Sequence, residues 1–186
     1  ADSGSWDYDG SAHSLSTYSY TGTLASGDYL DVTISGSVTN YSDNAANNNV
    51  VTSVIIRNAA GADVTGNYTT IQKNPGTISI KQIPVTFTGE SKTETYTGST
   101  ITLSGISSDL NTTKYSYSGL NYSASGLNVG TYNGSFSGDV KIYAGTTDVT
   151  GNFAITKTPG ALTISAASFP LTITGKKDSY EYNGKD

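Results

Sequence analysis

The sequence predicts an all-β fold, made of two tandem antiparallel β-sandwich-like domains in an elongated rod with a trailing strand segment. Apolar residues alternate with polar ones, as in Val85 and Phe87, and this period of two is typical of half-buried strands. Turn pairs such as Asn133-Gly134 and Pro159-Gly160 recur along the chain, as expected of a sandwich or barrel. No segment has the apolar spacing of a long helix.

The prediction of two domains depends on an internal repeat. The segment GADVTGNY at 61–68 returns as GTTDVTGNF at 145–153, and NPGTISI at 74–80 returns as TPGALTI at 158–164. The prolines of the second block, Pro75 and Pro159, are 84 positions apart (159 − 75). Tandem copies of one unit build length more readily than they build an active site.

A third, partial copy follows the second. A Tyr-x-Gly signature begins at Tyr8, Tyr96 and Tyr182, and the strand pattern at 83–89 returns at 169–175. The predicted units are a first repeat at 1–82, a second repeat at 83–167, and a segment at 168–186 that either opens a third repeat or completes the second.

The apolar alternation at Leu171 and Ile173 leads us to expect that this last segment packs against the second repeat, because an exposed apolar strand face is unfavourable. The first copy has no counterpart of 84–89. A neighbouring molecule could supply that strand by head-to-tail strand addition.

The sequence match also suggests a register between the copies. We align Tyr18-Ser19-Tyr20 with Tyr115-Ser116-Tyr117, which places insertions near 22–29 and 40–49 in the first copy and near 104–113 in the second. Insertions of this size are expected in surface loops.

Composition excludes several classes of partner and site. The net charge of −5 and the pI near 4.6 argue against nucleic acid and anionic membranes as partners. The absence of cysteine removes disulfides, thiolate nucleophiles and cysteine metal sites. No apolar run reaches the length of a membrane span, so we expect no membrane insertion.

The Tyr-x-Gly opening, the Asp-Val-Thr-x-Asn-aromatic block and the Pro-Gly-x-Leu/Ile closing strand together resemble the MBG ("mostly β, glycine-rich") and related YDG repeats of bacterial surface adhesins. The resemblance covers nearly the whole chain. It implies an extracellular location at the bacterial cell surface, in a cell-wall-anchored or secreted multirepeat protein. It also implies a stalk or adhesin role without catalytic residues.

Catalytic patterns are weak, and we predict neither an enzyme nor a cofactor. The single histidine, His13, aligns with Ile101 in the second copy, so no base of a Ser-His-Asp triad recurs. The carboxylates Glu90 and Glu94 are not matched in the other copy as a glycosidase pair.

No strong metal site is predicted either. Asp7, Asp9 and Asp43 are weak calcium candidates, but their spacing does not fit a calcium loop. Lys73 and Lys157 recur and invite a Lys–Asn isopeptide bond, although solvated lysine is the default expectation.

Two further sets of residues receive roles. Asp63 and Asn67, with their counterparts Asp148 and Asn152, are predicted to shape a repeated turn through side-chain hydrogen bonds. Tyrosines without a match in the other copy are candidates for exposed contacts with host glycan or protein. These are Tyr29, Tyr41, Tyr122 and Tyr143.

The predicted function is therefore a spacer in a surface adhesin, which projects a distal binding domain and contacts adjacent repeats of the same chain. The alternative is an adhesive module that binds host glycan or protein through the asparagine-rich loop at 41–49 and the exposed tyrosines.

Overall fold

The computed structural model describes residues 1–185, and the prediction of an all-β fold is confirmed. Strands and turns make up the described chain, with three 3₁₀ turns and no α-helix; no helix in it is long and apolar enough to cross a membrane. The strands are β1 (Gly4–Asp7), β2 (Tyr29–Ser35), β3 (Val50–Arg57), β4 (Ile78–Lys81), β5 (Ile83–Gly89), β6 (Lys92–Thr95), β7 (Ile101–Leu103), β8 (Ile106–Ser108), β9 (Ser116–Ser118), β10 (Asn121–Gly126), β11 (Gly130–Asn133), β12 (Ser135–Ser137), β13 (Lys141–Ala144), β14 (Thr147–Asp148), β15 (Phe153–Thr158) and β16 (Ala161–Ser165).

The strands pair into small sheets. Three-stranded sheets have the orders β12-β10-β7, β11-β16-β6, β14-β13-β9 and β15-β5-β8, and β1-β4 and β2-β3 form two-stranded ones. The pairs β1-β4, β5-β15 and β6-β16 are parallel, so the prediction of purely antiparallel strands is wrong for them. In each of these pairs a strand near the start of a repeat meets one near its end, and long connections of this kind permit parallel pairing.

The two repeats use the same opening pair. Gly4 lies opposite Ile78 in the first repeat, as Lys92 lies opposite Leu162 in the second. The backbone N–H of Asp2 donates to the carbonyl of Thr17, and that of Glu90 donates to the carbonyl of Gly105. Thr17 therefore corresponds to Gly105, and 18–20 correspond to β8.

This register corrects the alignment of the two Tyr-Ser-Tyr segments. The backbone N–H groups of Ile56 and Ile142 each donate to a threonine hydroxyl of the repeated turn, at 2.8 Å, so these isoleucines correspond. Ile56 pairs with Leu30, whereas Ile142 pairs with Tyr117. Leu30 thus takes the place of Tyr117. The sequence match was misleading because alternating aromatic and serine residues look alike on any strand.

The core follows from the alternation of side chains. Val85 and Phe87 on β5 are buried, as are Leu162 and Ile164 on β16, while the residues between them are more exposed. The larger buried cluster includes residues of both repeats, among them Tyr8 and Ile80 of the first together with Phe87 and Phe153 of the second. The two repeats therefore share one continuous apolar core.

Residues 166–185 contain no strand. Phe169, Leu171 and Ile173 are 82%, 83% and 87% exposed. The segment therefore does not pack against the second repeat in this structure, because these apolar side chains are exposed and no strand pairs with it. Its other predicted identity, the opening strand of a third repeat, stays a prediction.

Candidate functional site

The candidate site is the junction between the two repeats. A single residue, Gln82, separates β4, which pairs within the first repeat, from β5, which pairs within the second. Its side-chain amide Nε2 donates to the carbonyls of Gly151 and Phe153, at 2.9 and 3.2 Å. The chain therefore passes from one sheet to the next without a free linker.

Asn152 connects the two repeats by hydrogen bonds on the other side of the junction. Its Oδ1 accepts a hydrogen bond from the backbone N–H of Tyr41 at 2.7 Å, and its Nδ2 donates to Oδ1 of Asn40 at 3.0 Å. The residue is only 4% exposed, whereas its counterpart Asn67 is exposed. Each is the last residue of the same 3₁₀ turn in its repeat, so the difference in exposure arises from the contact with the other repeat.

Aromatic rings close the interior of the junction. The ring of Phe153 meets that of Tyr115 edge to face, with centroids 5.0 Å apart, and that of Tyr8 at 6.3 Å. Burial raises the pKa of the Tyr115 hydroxyl. These contacts make the junction an apolar interface with a hydrogen-bonded rim.

A cleft of about 490 Å³ lies beside this junction, lined by polar groups that include Asn40, Asp148 and Asn152. The carboxylate of Asp148 accepts hydrogen bonds from the hydroxyl and backbone N–H of Thr150, and it is 3.2 Å from Nζ of Lys141. These partners lower its pKa to about 2. With its charge already paired, this carboxylate is poorly suited to proton transfer near neutral pH.

The repeated Asp-x-Thr turn has the same hydrogen bonds in both copies. Oδ1 of Asp63 accepts from the backbone N–H of Thr65 at 2.9 Å, and Asp148 does the same with Thr150 at 3.0 Å. The hydrogen bonds from Thr65 also lower the pKa of Asp63. The aspartates hold the turn, while Asn67 and Asn152 end it in different environments.

The asparagine-rich loop is part of the framework. Asn44 donates from Nδ2 to the carbonyl of Ile80 and accepts at Oδ1 from its N–H, at 2.8 and 2.7 Å. Asn48 does the same with Ile78, at 2.8 Å for both bonds. Two side-chain amides therefore imitate the backbone of a neighbouring strand along one edge of β4.

In the second repeat, a strand forms the hydrogen bonds of the corresponding edge. There β11 pairs with β16, whose Leu162 and Ile164 correspond to Ile78 and Ile80. The loop at 41–49 thus replaces a strand, which explains why it is rich in asparagine: only the amide side chain offers one donor and one acceptor in the spacing of a peptide group.

Asn49, at the end of this loop, is fully buried. Its Nδ2 donates to the carbonyl of Asp2 at 2.9 Å, and its backbone exchanges two hydrogen bonds with Gly76. Its Oδ1 has no hydrogen-bond partner within the described residues. The donor side of the amide therefore connects the loop to the first residues of the chain.

The three calcium candidates have different local environments. Asp9 binds the backbone N–H of Ser11 at 2.7 Å and lies 3.1 Å from His13, and the first of these bonds is the main reason for its lowered pKa. Asp43 accepts from the backbone N–H groups of Asn40 and Thr39, which lower its pKa. Asp7 is an exposed residue of β1. Residues 1–185 bring no three acidic, histidine or cysteine side chains together as a metal site.

The candidate tyrosines fall into different environments. Tyr29 and Tyr41 are exposed, and Tyr143 is half-buried on β13. Tyr122 is buried, and its hydroxyl donates to the carbonyl of Glu90 at 2.9 Å. The expectation of an exposed Tyr122 is wrong because β10 turns this ring into the second, smaller core cluster.

The recurring lysines are exposed and bind carbonyl groups. Nζ of Lys73 donates to Thr52 at 3.0 Å, and Nζ of Lys157 donates to Gly138 at 3.4 Å. Neither contact has the buried surroundings that an isopeptide bond between a lysine and an asparagine requires.

Sequence reasoning missed Gln82, Asn40 and Tyr8 as junction residues. Gln82 is the only residue between two strand patterns, and this short separation was the available signal. Comparisons of the chain with family models, with curated proteins and with solved structures found no match.

Proposed function

We propose that this chain is a spacer segment, a length of structural stalk in which successive β repeats are fixed end to end. The observation that carries the proposal is the passage from β4 to β5 through the single residue Gln82. One residue offers two soft backbone dihedral angles, and here its side chain is also held by two carbonyls of the second repeat. Bending at this point must break those hydrogen bonds.

Two features of the contact surface add to this resistance. The amide of Asn152 bridges to Asn40 and Tyr41, and the rings of Tyr8 and Phe153 are buried together. Rotation of one repeat against the other would expose apolar surface and leave buried polar groups unpaired, both of which are unfavourable. Stiffness of this origin is what a spacer requires.

The location of such a spacer at a bacterial cell surface rests on the likeness of the sequence to adhesin repeats. The acidic composition agrees with an exposed, soluble segment of such a protein. In this role the chain holds a distal binding domain away from the cell and needs no cofactor of its own.

The adhesive alternative is narrowed by the hydrogen bonds of the asparagine-rich loop. Asn44 and Asn48 are engaged with β4, so deletion of 41–49 would damage the first repeat and could not serve as a binding test. Of the four tyrosines proposed for adhesion, Tyr29 and Tyr41 are the exposed ones. Substitution of these two rings by alanine is the better test of that function.

Interspin distance measurements test the spacer directly. The chain has no cysteine, so Thr33→Cys on β2 and Ser123→Cys on β10 introduce two unique labels at exposed strand positions. We expect one narrow distance distribution. Insertion of two glycines after Gln82 is the matched control and should broaden it. A distribution in the parent chain as broad as in the insertion variant would contradict a fixed junction.

A further inference from the structure

The first and last strands of the second repeat run side by side in one parallel register. β5 pairs with β15 from Ile83 opposite Phe153, which is an offset of 70 positions (153 − 83). β6 pairs with β16 at the same offset (162 − 92). The segments 83–95 and 153–165 therefore form a single parallel ribbon, which is called the clamp below.

The clamp stays continuous where its two segments pass from one sheet to another. β5 and β15 belong to the sheet β15-β5-β8, whereas β6 and β16 belong to β11-β16-β6. At the turn between them, the backbone N–H of Ala161 donates to Oγ of Ser91 at 3.1 Å. Gly160 lies so close to Glu90 that a methyl group on Gly160 would overlap the Glu90 carbonyl. One ribbon thus connects two sheets of the repeat.

Alternate side chains of the clamp lie in the two apolar clusters of the molecule. Val85 and Phe87 are buried in the larger cluster, and Leu162 and Ile164 are buried in the smaller one. Separation of the two segments would expose this apolar surface and break the backbone hydrogen bonds between them, and both changes are unfavourable. The clamp is therefore part of the framework of the repeat and not a peripheral pair of strands.

The chain enters and leaves the second repeat at opposite ends of the clamp. β5 follows β4 after the single residue Gln82, so the chain from the first repeat joins the clamp at Ile83. β16 ends at Ser165, at the other end, where the carbonyl of Ser165 accepts from the backbone N–H of Tyr96 at 2.9 Å. Tension along the chain therefore pulls the two parallel segments past one another.

The direction of pulling decides how many hydrogen bonds resist at once. When two strands slide in opposite directions, all the bonds between them are loaded together, whereas strands that are separated from one end lose their bonds one after another. The bonds of a parallel ladder are evenly spaced, so the load is shared along its length. Residues 96–152 lie between the two segments in sequence and carry no load while the clamp is intact.

The first repeat contains the same arrangement. β1 pairs in parallel with β4 from Gly4 opposite Ile78. The backbone N–H of Thr77 donates to Oγ of Ser3 at 2.9 Å, which is the same bond as at the turn of the clamp. A pairing that both copies keep is expected of a role that every repeat shares.

We propose that the second repeat is a tension-bearing unit, in which the clamp carries force along the stalk. This inference rests on the proposed spacer function for the origin of the force, since a stalk that holds a binding domain is pulled whenever that domain is held. The clamp gives resistance to stretching, whereas the contacts of Gln82 and Asn152 give resistance to bending. The two properties depend on different hydrogen bonds.

Single-molecule force spectroscopy in two pulling directions tests the clamp in the full chain. The chain has no cysteine, so pairs of introduced cysteines define where the force is applied. Lys81→Cys with Ser168→Cys loads the clamp in shear, and Thr100→Cys with Ser168→Cys separates β6 from β16 from one end. All three positions are exposed, so neither pair should alter the fold.

We expect the shear pair to rupture at a force at least about twofold higher than the other pair at the same loading rate, because forced unfolding is governed by the unfolding barrier. Rupture should release the 83 residues from 83 to 165 (165 − 83 + 1), which is about 270–300 Å of extended chain. Equal rupture forces for the two pairs, or a low-force step that releases β5 alone, would overturn the proposal.

Two alanine substitutions separate the clamp from general stability. In Gly160→Ala the added methyl group overlaps the carbonyl of Glu90 within the clamp. Gly119→Ala is the matched control, because its methyl group overlaps the carbonyl of Asp139 outside the clamp. Both should lower stability in denaturant, but only Gly160→Ala should lower the rupture force of the shear pair.

Equal effects of the two substitutions on that rupture force would contradict the proposal. The interspin distances that test the spacer are measured without applied force. A narrow distance distribution with equal rupture forces in the two directions would therefore remove the clamp and leave the spacer. A broad distribution would remove the spacer whatever force the clamp withstands.

Discussion

The side-chain amide of Asn152 in the second repeat donates to Oδ1 of Asn40 in the first, at 3.0 Å. The same asparagine accepts from the backbone N–H of Tyr41, so one side chain uses both ends of its amide across the junction. Its counterpart Asn67 has the same local turn but is exposed. Asn67 is therefore an internal control for the free energy that the contacts of Asn152 contribute to folding.

Asn152→Ala should destabilise the chain by about 1–3 kcal/mol, because the N–H of Tyr41 loses its partner in a part-buried site. Asn67→Ala should change the free energy of unfolding by less than about 0.5 kcal/mol, since that side chain is exposed. Chemical denaturation followed by tyrosine and tryptophan fluorescence measures both. Equal effects of the two substitutions would show that the turn, and not the junction, depends on the asparagine.

Asn48→Ala should also cost about 1–3 kcal/mol, because the N–H and carbonyl of Ile78 both lose their partners. Asn47→Gly is the matched control in the same loop. It keeps the left-handed backbone of Asn47 (φ 60°) and removes a side chain that makes no hydrogen bond within the described residues. Thermal unfolding compares the two, and a loop that tolerated Asn48→Ala as well as Asn47→Gly would not be acting as a substitute strand.

The strands were predictable because alternate burial leaves a direct record in the sequence. Val85 and Phe87 are buried, with less buried residues between them, and the repeated blocks at Pro75 and Pro159 correctly paired the closing strands of the two copies. Parallel pairing was not predictable, since a period of two is the same in parallel and antiparallel ladders. The alignment of Tyr18 and Tyr20 with Tyr115 and Tyr117 was also wrong, because only the backbone hydrogen bonds show which strands of the two repeats correspond.

The candidate sites were harder to predict from the sequence than the strands. Asparagine in 44–49 suggested an exposed loop, yet its side chains replace a strand, an arrangement that composition alone does not indicate. Tyr122 has no matching tyrosine in the first copy, yet its ring is buried, so the lack of a match did not indicate exposure.

Gly89→Ala should destabilise the second repeat by about 1–3 kcal/mol. A methyl group at Gly89 would overlap the ring of Tyr122, which is buried and fixed by the bond from its hydroxyl to Glu90. Gly175→Ala is the matched control, because a methyl group there has no atom within 4 Å. Denaturation of the two variants by urea measures the difference. Equal stability would mean that Tyr122 can move aside.

Protonation of Asp148 should weaken the fold in acid. Its pKa is lowered from 3.8 to about 2 by Thr150 and Lys141, so the carboxylate stabilises the folded state at pH values above 3.8. This contribution is lost as the pH falls from about 4 towards 2. Asp148→Asn should therefore flatten the decline in the free energy of unfolding over that window.

Titration of the Asp148 carboxyl carbon by NMR gives the same quantity at one atom, with a midpoint expected near 2. Lys141→Met should raise the midpoint only part of the way, because the hydroxyl and N–H of Thr150 are the larger causes of the shift. A midpoint near 3.8 in the parent chain would mean that these hydrogen bonds do not favour the charged form. The turn would then hold its shape without help from the ionised carboxylate, and the acid sensitivity of the second repeat would have to arise at another group.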